Sequence, residues 1–274
     1  MPPEGQRYVV RFQKAERVQH GVLMVCFLGL AATGLPLLFS EQPWARVLSR
    51  VFGGYEAAGF LHRFFASALI GLFIYHIGRL AHRIFVRGER RLLWGPESMV
   101  PQPRDLVELY LHVKWFLRVG PRPEFDRYTY WEKFDYWAVF WGMFIIGGSG
   151  LMLWFPELFS RWLPGWVFNV ALLVHGEEAL LAVGFIFTIH FFNGHLRPEK
   201  FPMDIVIFTG RVSEEEFWHE RALEARRLEA QGELEALMAR PPRPRVVRLG
   251  RIGGTIAVVT GLSLFVLILI GFFH

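Results

Sequence analysis

Five apolar runs of about 20 residues punctuate the chain, approximately His20–Phe39, Gly59–Ile84, Phe134–Phe155, Val170–Phe192 and Gly253–Phe273. About 20 helical residues cross the hydrocarbon core of a bilayer, so the pattern predicts five transmembrane helices. Between Pro103 and Arg118 the periodicity changes. Leu106, Leu109, Tyr110, Val113, Phe116 and Leu117 recur at helical spacing among polar residues, which predicts an amphipathic helix lying on the inner leaflet. Ser213 followed by Glu214, Glu215 and Glu216 reads as a capped start, and a charged helix is expected from there to Arg240. Pro241, Pro242 and Pro244 then make a stiff break. The predicted organisation is a four-span core over residues 1–212, with an amphipathic loop at about 87–133. A charged segment at 213–250 and a fifth span at 251–274 follow. The first span is too long for a signal-peptide core, carries Pro36, and has no cleavage site after it. No internal repeat is strong enough to use.

Composition agrees with the pattern. The chain of 274 residues is 53% hydrophobic and holds 27 Phe and 10 Trp, which is unusual for a soluble protein of this size. Its basic residues are unevenly placed. Arg7, Arg11, Lys14 and Arg17 precede the first span, and the second and fourth loops are rich in Arg and Lys. The first loop has only Arg46 and Arg50, and the third only Arg161. The positive-inside bias therefore predicts a multi-pass inner-membrane protein with a cytoplasmic N-terminus and a periplasmic C-terminus. This asymmetry accounts for the pI of about 9.6 without nucleic acid, and no base-reading motif occurs. Cys26 is the only cysteine, so the chain offers no disulfide, iron–sulfur cluster or CxxCH attachment.

The chemistry lies in histidines within the spans. His20, His62, His76, His175 and His190 fall in or at the ends of apolar runs, where an ionisable group is costly and functional by default. His62 and His76 are fourteen residues apart, about 21 Å along a helix, and point within about 40° of each other. His175 and His190 are fifteen apart, about 22 Å, and diverge by about 60°. By topology His62 and His175 share the outer depth, and His20, His76 and His190 the inner. Histidines at two matched depths suit axial ligation of two haems b about 20 Å apart. An outer pair of His62 and His175 follows. Inside, His190 is left with either His20 or His76. The plain alternative for each is a polar side chain bonded to a neighbouring helix.

The segments "AERVQH" ending at His20, "LHRFF" at His62, "WEKFDYW" opening span three and "LLVHGEEALLA" at His175 together resemble a known family. They are similar to the b561-like cytochrome b subunits of formate dehydrogenase-N, nickel–iron hydrogenases and thiosulfate reductase. The tail "IHFFNGHLRPEKFPMDIVIFTGRV" resembles cytochromes b that serve multihaem c-type partners. The likeness covers roughly residues 7–220 and implies an all-α integral membrane protein, a four-helix haem-binding bundle with an added C-terminal helix. It implies His20 with His190 at the inner haem iron and His62 with His175 at the outer. Departures are the additional His76, the fifth span, and a His175–His190 separation one residue longer than the family pattern.

The remaining polar groups fill out the expected function. Tyr128, Tyr130, Glu132, Lys133, Asn193 and His195 are candidates for a quinone site near the inner haem, or else an ordinary interfacial rim. His82, beside Arg79 and Arg83, is placed to meet phosphate headgroups or haem propionates. His112 and His219 are expected on solvated surface helices, and His274 ends the chain. Gly29, Gly34, Gly142, Gly147, Gly148 and Gly150 would let a flat macrocycle or another helix approach the backbone, and most are read as helix–helix contacts. Glu177 and Glu178 either orient a ligand or lie at a wet helix end. The expected function is electron transfer between a quinone and an extracytoplasmic redox subunit, a multihaem cytochrome c or iron–sulfur protein. The rivals are a haem-free membrane anchor and a proton-relay or transport subunit.

Overall fold

A computed structural model of the chain describes residues 6–273. His274 lies outside them. In chain order the elements are β1 (Tyr8–Val10), α1 (Lys14–Leu38), α2 (Pro43–Val51), α3 (Tyr55–Ala81) and α4 (Pro103–Phe116). Next come α5 (Tyr130–Gly142), α6 (Gly148–Trp154), α7 (Pro156–Phe159), α8 (Trp166–Phe185) and α9 (Val206–Thr209). The chain closes with β2 (Arg211–Ser213), α10 (Glu214–Glu220), α11 (Ala222–Ala230), β3 (Met238–Ala239) and α12 (Pro244–Phe273). Wider π turns occupy His82–Val86, Met143–Gly147, Ile186–His190 and Phe192–Leu196. Counting these turns with the helices they extend, five stretches are long and apolar enough to span a membrane: Lys14–Leu38, Tyr55–Val86, Tyr130–Trp154, Trp166–Leu196 and Pro244–Phe273.

The described residues form two compact units. One comprises the N-terminal residues to Arg17, His76–Ala138 and Val206–Val247. The other comprises Val18–Tyr75, Val139–Ile205 and the described residues from Arg248 onward.

The first unit contains a small antiparallel sheet, ordered β2-β1-β3, that the sequence pattern did not predict. Val9 pairs with Val212 on one side and Met238 on the other. Strands of two or three residues are too short to show an alternating pattern. Val9, Val212, Phe217, Ala225 and Leu228 make the core beneath it. The single charged helix expected over Ser213–Arg240 is instead two short helices and a strand. Its start is as expected, with the Ser213 hydroxyl accepting from the Glu216 backbone. It breaks at Arg221, which leaves helical geometry at φ −130°, and again at Gly232, where φ is +70° and glycine is favoured.

Charge is buried in this unit in paired form. Arg11 and Glu224, 5% and 1% exposed, are 2.7 Å apart, and Arg127 reaches the second Glu224 oxygen at 3.0 Å. Lys133, 1% exposed, pairs with Asp105 at 2.7 Å. That carboxylate also accepts from the Gln102 backbone at 2.6 Å, closing the first turn of α4. The helix is amphipathic as expected. Asp105 and Glu108 are buried, whereas Leu106, Val107, Tyr110 and Phe116 are exposed. One Glu108 oxygen is buried with no hydrogen-bond partner. Burial, then the charge of Asp105, push its carboxyl up to about 7.

The second unit holds most of the apolar helix length. Ala31, Leu35, Val183, Phe187, Phe191, Leu264 and Ile268 form its core, so α12 packs on the residues of α1, α8 and the π turn after it. The approach is close at Gly261. A Cβ there would lie 2.6 Å from the Phe191 ring and 2.7 Å from that of Phe187.

Two predictions follow from this packing. Glu108 binds its proton more tightly when folded than at its ordinary 4.5, so wild-type stability falls as pH rises from 4.5 to about 7. The melting temperature of Glu108→Gln should therefore gain on wild type across that window and level off above it. A difference that does not change with pH would contradict the buried-carboxyl account. Gly261→Ala should cost about 1–3 kcal/mol through overpacking. Gly253→Ala, with open space around it, should cost nothing in the same melting assay.

Candidate haem-binding site

The second unit brings four of the five intramembrane histidines into two pairs. The rings of His62 and His175 have centroids 6.2 Å apart and planes at 80°. Those of His20 and His190 are 6.5 Å apart at 33°. Metal–imidazole bonds are about 2 Å long, so two rings facing one iron have centroids about 6 Å apart. Both pairs meet that requirement. His76 does not join either pair. It belongs to the first unit, where its Nε2 is 2.9 Å from the Tyr136 hydroxyl.

The surroundings of His62 and His175 fix the ring tautomers. His175 Nδ1 lies 3.0 Å from the Ile146 carbonyl, which can only accept, so Nδ1 carries the proton. Ser149 donates its own proton to the Ile145 carbonyl at 2.6 Å and turns a lone pair toward the same Nδ1 at 3.3 Å. Thr33 repeats this arrangement in span one. Its hydroxyl donates to the Gly29 carbonyl at 2.6 Å and stands 3.2 Å from His62 Nδ1, with the Leu30 carbonyl as the ring's backbone partner. With both Nδ1 atoms protonated, both Nε2 lone pairs are available for a metal.

Small residues make room for these rings. A Cβ on Gly34 would stand 2.9 Å from His62 Cε1, and one on Gly150 would stand 2.9 Å from His175 Cε1. Gly29 meets the Phe65 ring in the same way, at 2.6 Å. Gly34 and Gly150 thus admit a histidine ring from the neighbouring span, a close helix–helix approach of the kind expected. The sequence did contain a signal, a hydroxyl residue followed by glycine, Thr33–Gly34 and Ser149–Gly150, once in each of two spans.

The π turn Ile186–His190 lies between the two histidines of the fourth span and alters their relative phase. A π turn takes up one extra residue. The fifteen residues from His175 to His190 thereby turn the chain about as far as fourteen in regular helix. A second π turn, Met143–Gly147, contains the Ile146 carbonyl that His175 meets.

The candidate quinone residues divide between the units. The Tyr128 ring meets the guanidinium groups of Arg11 and Arg127, 5.6 and 5.3 Å from its centroid. Tyr130 bonds His112 Nδ1 at 3.0 Å, and His112 stacks on Phe116, so it is embedded in aromatics rather than solvated. Glu132 caps α5 through Thr129 and pairs with Arg221 at 2.8 Å. Lys133 is held by Asp105. These four lie in the first unit, and Asn193 and His195 in the second. His195 interacts electrostatically with both His20 and His190. Glu178 accepts from the Trp141 indole at 3.1 Å, and Glu177 is exposed.

Residues 11–196 match the family model described as prokaryotic cytochrome b561. The chain belongs to that family. Its members are multi-pass membrane cytochromes that bind haem b. The nitrate-inducible formate dehydrogenase cytochrome b556(Fdn) subunit of Escherichia coli K12 is 22% identical over 179 residues, 65% of this chain and 73% of its own. The E. coli K12 formate dehydrogenase cytochrome b556(fdo) subunit is 23% identical over 176 residues, 64% of this chain and 74% of its own. The Haemophilus influenzae formate dehydrogenase cytochrome b556 subunit is 23% identical over 175 residues, 63% and 65% of the two chains. This b561-family chain is therefore a membrane electron-transfer cytochrome, and its α12 lies beyond the matched range.

Removing the hydroxyl beside each Nδ1, with the carbonyl partner left in place, should make an iron-bound imidazole at that position a poorer donor. Thr33→Val and Ser149→Ala should each raise a haem midpoint potential in a spectroelectrochemical titration. Unchanged potentials in both variants would show that the hydroxyls only hold their own helices.

Proposed function

We propose that this chain is a di-haem cytochrome b that carries electrons across the bilayer between quinone and an extracytoplasmic redox subunit. His62 and His175 hold one haem b, and His20 and His190 the other. The observation that carries this assignment is the pair of facing imidazoles, at 6.2 and 6.5 Å, within one unit. His175 and His190 share one helical stretch, about 22 Å apart by the helical rise, so the two sites would lie toward opposite faces of the membrane.

Bound haem supplies a one-electron iron couple. The rest of the work is done by the chain. Thr33 and Ser149 keep His62 and His175 in the donor tautomer and stop their rings from turning. Gly34 and Gly150 let helix backbone approach those rings without a steric barrier. Phe187 and Phe191, packed under α12, exclude water beside His190. In the adopted orientation the basic loops face the cytoplasm, so the His20–His190 site is the inner one. Asn193 and His195 are the polar groups proposed to meet quinone there, because His195 interacts with both inner histidines. Electrons crossing the membrane do so against or with the potential, worth about 2.3 kcal/mol per electron per 100 mV. The tail from Ile189 favours outward flow from quinol to a multihaem c-type partner. The formate dehydrogenase relatives favour inward flow from a dehydrogenase.

The test is a reduced-minus-oxidised spectrum with a haemochrome assay on the detergent-purified chain. About two haems b per chain are expected. His62→Ala and His175→Ala should lose the same haem, and His20→Ala and His190→Ala the other. His76→Phe should retain both. A haem-free wild type made in a haem-sufficient host would sink the proposal in favour of an anchor or proton relay.

A further inference from the structure

The first unit contains a cavity of about 280 Å³ that takes no part in the haem sites. It is lined by Arg79, His82, Arg83 and Arg87 together with Gln13, Glu16 and Glu89. Two of these charges are already committed. Glu16 accepts from the Gln13 backbone at 2.8 Å, and Glu89 pairs with Arg83 at 2.6 Å. Arg79 and Arg87 make no ion pair among the described residues. Three arginines against two glutamates leave the cavity with one positive charge when His82 is neutral. A single phosphodiester would neutralise it.

We propose that this cavity binds the phosphodiester headgroup of an anionic phospholipid, gripped by Arg79 and Arg87 with His82 as a further donor. Guanidinium forks suit phosphate oxygens, and basic pockets at the cytoplasmic ends of transmembrane helices select anionic headgroups. The source is a lipid rather than free phosphate because the cavity sits at the end of the Tyr55–Val86 span, where headgroups lie. Phe85 and Val86 beside it are 83% and 72% exposed, an apolar rim fitted to acyl chains rather than to water. The π turn His82–Val86 and the left-handed Gly88 turn the chain back at this point, which sets Glu89 against Arg83, while Arg87 in the lining stays exposed.

The inference does not depend on the haem assignment, and its test does not read haem. The detergent-solubilised full chain is titrated with dihexanoyl phosphatidylglycerol, dihexanoyl phosphatidylcholine or inorganic phosphate, following thermal stabilisation. Phosphatidylglycerol should stabilise wild type saturably, and the other two should not in the same range. Arg79→Gln and Arg87→Gln should each weaken the effect about tenfold, as expected for one charge-assisted contact. Arg90→Gln, outside the cavity, should titrate like wild type. If Arg79→Gln does not fold, the exposed Arg87→Gln carries the test alone. Equal stabilisation by phosphatidylcholine, or by inorganic phosphate, would overturn the anionic-lipid assignment. So would Arg87→Gln titrating like wild type.

Discussion

An imidazole in hydrocarbon has two nitrogens to satisfy and no water to satisfy them. In this chain that requirement organises the second unit. His62 and His175 each give one nitrogen to a neighbouring helix, through a carbonyl and a hydroxyl, and keep the other for a partner across the bundle. Each such bond ties span one to span two, or span three to span four. The glycines beside the rings follow from the same requirement, since a ring held this tightly leaves no space for a methyl group on the facing helix. Position and protonation state are thus set together.

The first unit meets a different constraint by a related route. Arg11, Glu224, Lys133 and Asp105 are removed from water, with Arg127 at their edge, in a network where each charge faces its opposite. Buried pairs of this kind add little net stability, but losing one partner strands the other, so they penalise misplaced chain. Residues as distant in sequence as Arg11, Arg127 and Glu224 come together there. The short sheet ties the segment before Arg11 to those on either side of Glu224 by backbone hydrogen bonds.

What the sequence revealed follows from the range of each interaction. The five spans were legible because bilayer thickness imposes a length on each, and α4 because its apolar residues recur at helical spacing. The candidate ligands were legible because histidine is rare at that depth. Strands β1, β2 and β3 were not, being too short for a pattern and paired across some 200 residues. The broken helix after Ser213 was hidden because Arg221 has no local reason to leave helical geometry. The choice between His20 and His76 could not be read from depth alone. In the structure it is His20 whose ring stands by His190, while His76 meets Tyr136. Thr33 and Ser149 were overlooked because a hydroxyl in a membrane helix ordinarily bonds its own backbone, which both also do.

The π turn before His190 has a consequence for comparing such chains. A π turn adds a residue without its full share of helical rotation, so it works as a vernier between His175 and His190. Two cytochromes of this kind could place their irons alike and still disagree by one in the interval between histidines. An alignment that ignored such a turn would put a gap at a histidine, when the extra residue belongs to the backbone hydrogen-bond ladder around it.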